Sequence, residues 1–229
     1  MSTPDVAALP ATTWHDETPS TACQLVPAPA GIHLGTDRAG RPVALSAPGP
    51  AGSRVGVLGE ALFGHLFALR LLAAGARVTA VTRAPAAWAG LRRAAGDRLT
   101  VAGDAGGWPA HQPAPPTVDG GPAALVCDLR RPPAAALGDG DWRTVLHVTH
   151  VTPPRAGFWA AADAILALDA RFAEAVARVL GAEAARVTAA LAPGEIVVFR
   201  ATGADVLRPD ISPAETALLT PGSPPRRAG

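Results

Sequence analysis

Lysine, asparagine and tyrosine are absent from this chain of 229 residues, so all 20 of its basic side chains are arginines. That removes Schiff-base chemistry on lysine, a lysine reaching toward phosphate, and a tyrosine general acid. Aromatic residues make up only 4% while the hydrophobic fraction is 48%, much of it alanine. This composition favours helices packed closely on a sheet over an aromatic-rich β-sandwich. There are 2 cysteines, Cys23 in an expected tail and Cys127 in an apolar strand, which indicate neither a disulfide framework nor a zinc cluster. No apolar stretch reaches the roughly 18–20 residues that span a bilayer. The opening "MSTPDVAALPATTWHDETPS" lacks the basic start and continuous apolar run of a signal peptide. The sequence therefore reads as cytoplasmic and soluble. With a net charge of +1, no whole-chain field draws it to nucleic acid or acidic lipid.

What is present fits one domain of about 180–200 residues plus tails. Composition predicts disordered tails over 1–27 and 213–229 and a folded domain over 28–212. "GIHLGTDRAGRPVALSA" reads as a hairpin about Asp37-Arg38-Ala39-Gly40. A strand at Arg54–Leu58, a glycine turn, a helix from about Ala61 to Ala74 and the strand "RVTAVT" follow. That order predicts parallel strands. After the helix "PAAWAGLRRAAG" and the strand "RLTVAG", residues 103–122, full of Gly, Pro and Ala, read as either a long loop or a deletion from an ancestral element. Strands "AALVCDL", "TVLHVTHV" and "ADAILAL", two helices, and strands "EIVVFRA" and "ADVLRP" complete an α/β domain. The expected architecture is a single three-layer domain with a mostly parallel sheet, P-loop NTPase-like or alternatively Rossmann-like.

The turn "GEALFGHL" admits three readings. In a P-loop, G-x-x-x-x-G-K-[ST], backbone N–H groups cradle phosphates, a lysine reaches the outer ones and a hydroxyl holds magnesium. Here Gly59 and Gly64 keep the spacing, but His65 and Leu66 occupy the lysine and hydroxyl positions. As a dinucleotide turn the same stretch is G-x-A-x-x-G, with Gly59, Ala61 and Gly64, and Arg83 ending the next strand would suit a 2′-phosphate of NADP. Ala61 and Glu60 argue against that by crowding, and by placing a negative charge beside, the pyrophosphate. The third reading is structural: glycines that let a buried helix pack on a buried strand.

Later segments bear on the choice. Asp128 ends "AALVCDL" where a magnesium-directed aspartate belongs, but Leu129 follows it in place of a water-activating glutamate. Thr149 or His150, at the end of "TVLHVTH", stands where such ATPases place a polar sensor. His147 and His150 are three apart on a strand and so cannot chelate one metal without a bulge. Arg92 and Arg93 suit a solvated helix face. Trp88, Trp108, Trp142 and Trp159, near element ends, suit core edges better than partner anchors.

In order, "IHLGTDRAGRPVAL", "RVGVLGEALFGHL", "AALVCDL", "VLHVTH", "ADAILAL" and "LAPGEIVVF" resemble the FtsK/HerA-type motor ATPases over about residues 31–208. They are also similar to small actinobacterial proteins found alongside type VII secretion components. The resemblance implies the fold, an ancestry, and candidate nucleotide contacts at Gly59, Gly64, His65, Asp128 and Thr149. The missing lysine, hydroxyl and glutamate argue against a motor. The sequence thus predicts a non-catalytic accessory or assembly protein with a protein partner, a secretion ATPase or its substrates, and no resident cofactor. An NADP-dependent Rossmann oxidoreductase and a regulatory domain binding ATP or ADP without hydrolysis stand as alternatives.

Overall fold

The computed structural model describes residues 31–117 and 120–219. The tail expected over 1–27, with Cys23, lies outside the described residues, as does the end of the C-terminal tail from 220 onward.

The chain opens on a hairpin of β1 (Ile32–Asp37) and β2 (Pro42–Leu45). Its turn is set by Asp37, whose Oδ1 accepts from the backbone N–H groups of Ala39 and Arg41 at 2.8 Å each. Then come β3 (Ser53–Leu58), α1 (Ala61–Ala73), β4 (Arg77–Val81), α2 (Ala89–Ala95) and β5 (Leu99–Ala102). The loop expected over 103–122 leads to β6 (Ala123–Cys127) and β7 (Arg143–Thr149). The order continues with β8 (Ala164–Ala167), α3 (Ala173–Leu180), α4 (Ala182–Ala189), β9 (Ile196–Arg200) and β10 (Gly203–Pro209).

All 10 strands form one sheet, in the order β2-β1-β10-β9-β8-β3-β7-β6-β4-β5. From β8 to β5 every pairing is parallel, and β9, β10, β1 and β2 extend the sheet with antiparallel pairings. Consecutive residues of a strand point to opposite faces, which divides the core in two. Val55, Val57, Val126, Leu146 and Val148 pack with Phe67 and Leu71 of α1 and with Trp88 and Leu91. On the other face Leu58, Leu125 and Val145 pack with Trp159 and with Val176 and Val179 of α3. The result is the three-layer α/β domain with a mostly parallel sheet that the sequence predicts.

One expectation is corrected. Residues 213–219, assigned by composition to a disordered tail, form α5 (Pro213–Leu219). Ser212 and Glu215 make a reciprocal capping box: the Ser212 N–H donates to Glu215 Oε2 at 2.8 Å and the Glu215 N–H to Ser212 Oγ at 3.2 Å. Proline at the first helical position, where no N–H is needed, completes the start signal. Arg70 of α1 then holds the helix down, donating from Nε to Glu215 Oε1 at 2.7 Å and from Nη2 to Glu215 Oε2 at 3.2 Å.

Candidate functional site at the carboxyl edge of the parallel strands

In an open parallel sheet, ligands enter at the carboxyl ends of the strands. Here that edge brings together Gly59 and Glu60 after β3, Thr149 and His150 after β7, and Asp128 after β6. β7 lies between β3 and β6, so the glycine turn and Asp128 stand about 10 Å apart across the sheet.

The turn itself is short. α1 begins at Ala61, capped by Glu60 in extended backbone without a side-chain hydrogen bond. Of the four residues that would have to wrap a phosphate between Gly59 and Gly64, the last three, Ala61, Leu62 and Phe63, are instead the first turn of the helix. Both glycines have a packing explanation. A β-carbon on Gly59 would lie 2.1 Å from Leu168 Cδ1, and one on Gly64 3.3 Å from Val148 Cγ2 and 3.5 Å from Val126 Cγ1. Gly64 lets α1 close on β6 and β7.

His65, one residue on, is inside α1 and only 7% exposed. Its ring meets Trp88 edge to face with centroids 4.2 Å apart. Its Nε2, the Trp88 Nε1 and the Asp128 Oδ1 are buried without hydrogen-bond partners. Burial pushes the His65 imidazole below its ordinary value, against the smaller opposing pull of the Asp128 carboxylate. A neutral ring turned into the helix layer does not replace a lysine directed at phosphate. Leu66 is likewise a core side chain, 4% exposed.

Asp128 is tied to the end of β4: Thr82 Oγ1 donates to its Oδ2 at 3.0 Å. The Thr149 hydroxyl is engaged with its own turn, accepting from the Val151 N–H at 3.2 Å. His147 is fully buried, its Nδ1 2.9 Å from Trp159 Nε1 and its Nε2 2.8 Å from the Leu129 carbonyl oxygen. The indole N–H donates to Nδ1, so Nε2 carries the proton and donates to Leu129. This neutral ring, held below its ordinary pKa by burial, fixes the backbone just after Asp128. His150 is exposed beyond the strand end. Among the described residues no group of three or more His, Cys, Asp or Glu side chains is placed to hold a metal. Cys127 is buried, its thiol pushed up to about 12 by burial first and Asp128 second.

Arg83 does not join the glycine turn. β4 is separated from β3 by β6 and β7, which places the end of β4 about 14 Å sideways. In a dinucleotide fold those two strands are neighbours, so the structure brings Gly59, Ala61 and Gly64 together but leaves Arg83 apart. The arginine that does reach the turn is Arg171, which follows β8 and donates to Glu60 Oε1 at 2.6 Å. It was not legible beforehand, since the pairing depends on β8 lying beside β3. Asp169 is a local signal for that approach: its Oδ1 accepts from the Arg171 N–H at 2.8 Å and caps the short turn that carries it. Two cavities of about 310 Å³ flank His150. One is bounded by Glu60, Arg171 and Phe172, the other by Asp128, Leu129, Arg130, Val148 and Val151.

No protein-family model matches the chain, and no curated protein matches it. Solved structures do. The genome packaging NTPase B204 from Sulfolobus turreted icosahedral virus 2, in complex with AMPPCP, aligns at 13% identity with a TM-score of 0.48, over 71% of this chain and 99% of that one. The cytoplasmic domain of the Thermomonospora curvata type VII secretion ATPase EccC aligns at 14% identity with a TM-score of 0.53, over 80% of this chain and 29% of that one. What this chain shares with the EccC domain is its fold, a three-layer α/β domain of the P-loop NTPase kind.

Proposed function

We propose that this chain is a non-catalytic accessory or assembly protein, built on a P-loop NTPase-like fold and working beside a protein partner in the cytoplasm. Its setting in this reading is an actinobacterial type VII secretion system, with the secretion ATPase or its substrates as partner. The observation that carries it is the start of α1 at Ala61, which converts the phosphate-wrapping segment into helix and turns His65 and Leu66 into the core. The ion pair of Arg171 with Glu60 across the turn supports the same reading, as does the likeness of fold to the EccC domain. Among the described residues no helix is long and apolar enough to cross a membrane.

The purified full chain is expected to hydrolyse ATP no faster than background, and Asp128→Ala to leave that rate unchanged. Turnover that disappears with Asp128→Ala would overturn the proposal. No resident cofactor belongs to this reading. Thermal shift with ATP, ADP and magnesium, or NADPH, is expected to be flat, because a ligand bound by the folded state alone raises apparent stability. A rise with ATP or ADP but no turnover would replace the accessory role by regulatory nucleotide binding. A rise with NADPH that Arg83→Ala abolishes would replace it by the dinucleotide reading.

A further inference from the structure

The net charge of +1 conceals an uneven distribution. At the amino edge of the parallel strands two arginines are neutralised, Arg54 by Asp139 and Asp163 and Arg77 by Asp97 at 3.9 Å, while Arg143 makes no ion pair there among the described residues. The carboxyl edge differs. Arg83 after β4, Arg130 and Arg131 after β6, and Arg155 after β7 are exposed, and none makes a hydrogen bond or ion pair among the described residues. These three strands are consecutive, β7-β6-β4, so the loops that carry the arginines leave strand ends within about 10 Å of one another. The carboxylates at this edge are spoken for: Asp128 is half-buried and bonded to Thr82, Asp104 beyond β5 accepts from the Gly106 N–H, and Glu60 and Glu174 beside His150 are paired with Arg171 and Arg178. His150 adds a donor at the same edge.

Prolines stiffen the loops that carry these side chains. Arg130-Arg131 is followed by Pro132-Pro133, and Arg155 is preceded by Pro153-Pro154. Fixed φ angles reduce the ordering cost when a partner binds. Between the loops lies the cavity of about 310 Å³, bordered by Leu129 and Val151 beside Arg130 and His150. Asp128 also lines it, with its Oδ2 engaged by Thr82 and its Oδ1 buried.

We propose that this edge is a docking surface for an acidic segment of a partner protein, an extended peptide bearing glutamates or aspartates around one aliphatic side chain. The carboxylates pair with the arginines, whose planar forks bind carboxylate in two-point fashion. The aliphatic side chain fills the cavity. Nucleic acid fits less well. Single strands are bound by aromatic stacking, whereas Trp88, Phe158, Trp159 and Phe172 at this end of the molecule are buried. Duplex binding draws on about 6–10 phosphate contacts, more than these arginines supply. The inference rests on the accessory reading for the existence of a protein partner and adds the chemistry that would recognise it.

The test is fluorescence anisotropy on the full chain with a labelled peptide of glutamates interspersed with leucines. Its glutamine counterpart and a thymidine oligonucleotide of matching charge are titrated in parallel. The acidic peptide is expected to bind and to weaken as salt rises. R130E/R131E should reduce affinity about tenfold or more, while R143E, at the opposite edge, changes it less than about twofold. Leu129→Trp provides a second variant that narrows the cavity without adding a charge beside the arginines, and it too should weaken binding. No binding of the acidic peptide, equal binding of the glutamine peptide, tighter binding of the oligonucleotide, or indifference to R130E/R131E would each overturn the proposal. ATP turnover dependent on Asp128 would instead remove the accessory reading and leave peptide binding standing, so the two failures are distinguishable.

Discussion

Leu168 Cδ1 sits where a β-carbon on Gly59 would project, and the turn after β3 keeps its shape because nothing grows there. Gly59→Ala is expected to destabilise the fold by about 1–3 kcal/mol, the usual cost of forcing volume into a packed site. Urea denaturation should show it, and Leu168→Ala in the same chain should recover part of the loss. Full stability in the single variant would mean that the glycine is not held by packing. The same scale shows how far single residues can be read without coordinates. That His65 and Leu66 stand in the lysine and hydroxyl positions was legible from spacing alone. That His65 turns toward Trp88 was not, because Trp88 arrives from beyond β4 and nothing local couples the two. Thr149 was legible as a strand-end hydroxyl, but its engagement with the Val151 backbone depends on how the following turn folds.

Side-chain hydrogen bonds between elements come largely from arginine. Arg38, in the β1–β2 turn, donates to both oxygens of Glu195 at 2.9 and 2.6 Å, locking that turn to the Pro193-Gly194-Glu195 turn before β9. In this chain the contact ties two segments that lie 157 residues apart. Arg70 plays the same part for α5, adding a 2.6 Å bond to the His33 carbonyl and one to the Asp210 carbonyl. The hydrogen bond from Arg38 holds the Glu195 carboxyl at about 2, and that from Arg70 holds Glu215 at about 2. Both values lie below the ordinary glutamate value of about 4.3. The unfolded chain therefore takes up protons first as pH falls. The stabilisation is complete above about 4.3 and is lost progressively as pH drops toward about 2. Hydrogen exchange is expected to show α5 opening in that window. In Arg70→Ala the amides of residues 215–219 should be unprotected already at neutral pH. Unchanged protection in that variant would show that α5 is held by apolar contacts alone. α5 itself was readable from "SPAE", a capping signal with proline at the first helical position. Pro-rich composition downstream outweighed it, because composition averages over exactly the few residues on which a short helix depends.

At the scale of the molecule, the alternation of strands and helices gave the fold class, since hydrophobic runs and glycine punctuation are local. Strand adjacency is not local. β3 and β4 flank one helix in sequence but stand three places apart in the sheet, with β6 and β7 between them. That order separates the P-loop-like topology from the dinucleotide one and leaves Arg83 away from the turn. A fragment spanning 31–117 has β3, β4 and β5 but neither strand that joins β3 to the others. It is expected to melt without a cooperative transition, and a sharp transition would contradict the dependence on β6 and β7. The same arrangement bears on how the chain is made. Synthesis proceeds at roughly 5–20 residues per second, so about 3–14 s separate the completion of β4 at Val81 from that of β7 at Thr149. For that interval β3 and the apolar side of α1 leave the ribosome without their neighbours. The first strand, β1, waits longer still, because it pairs with β10, the last. A nascent chain of this topology thus carries exposed apolar surface and unpaired strand edges during its own translation.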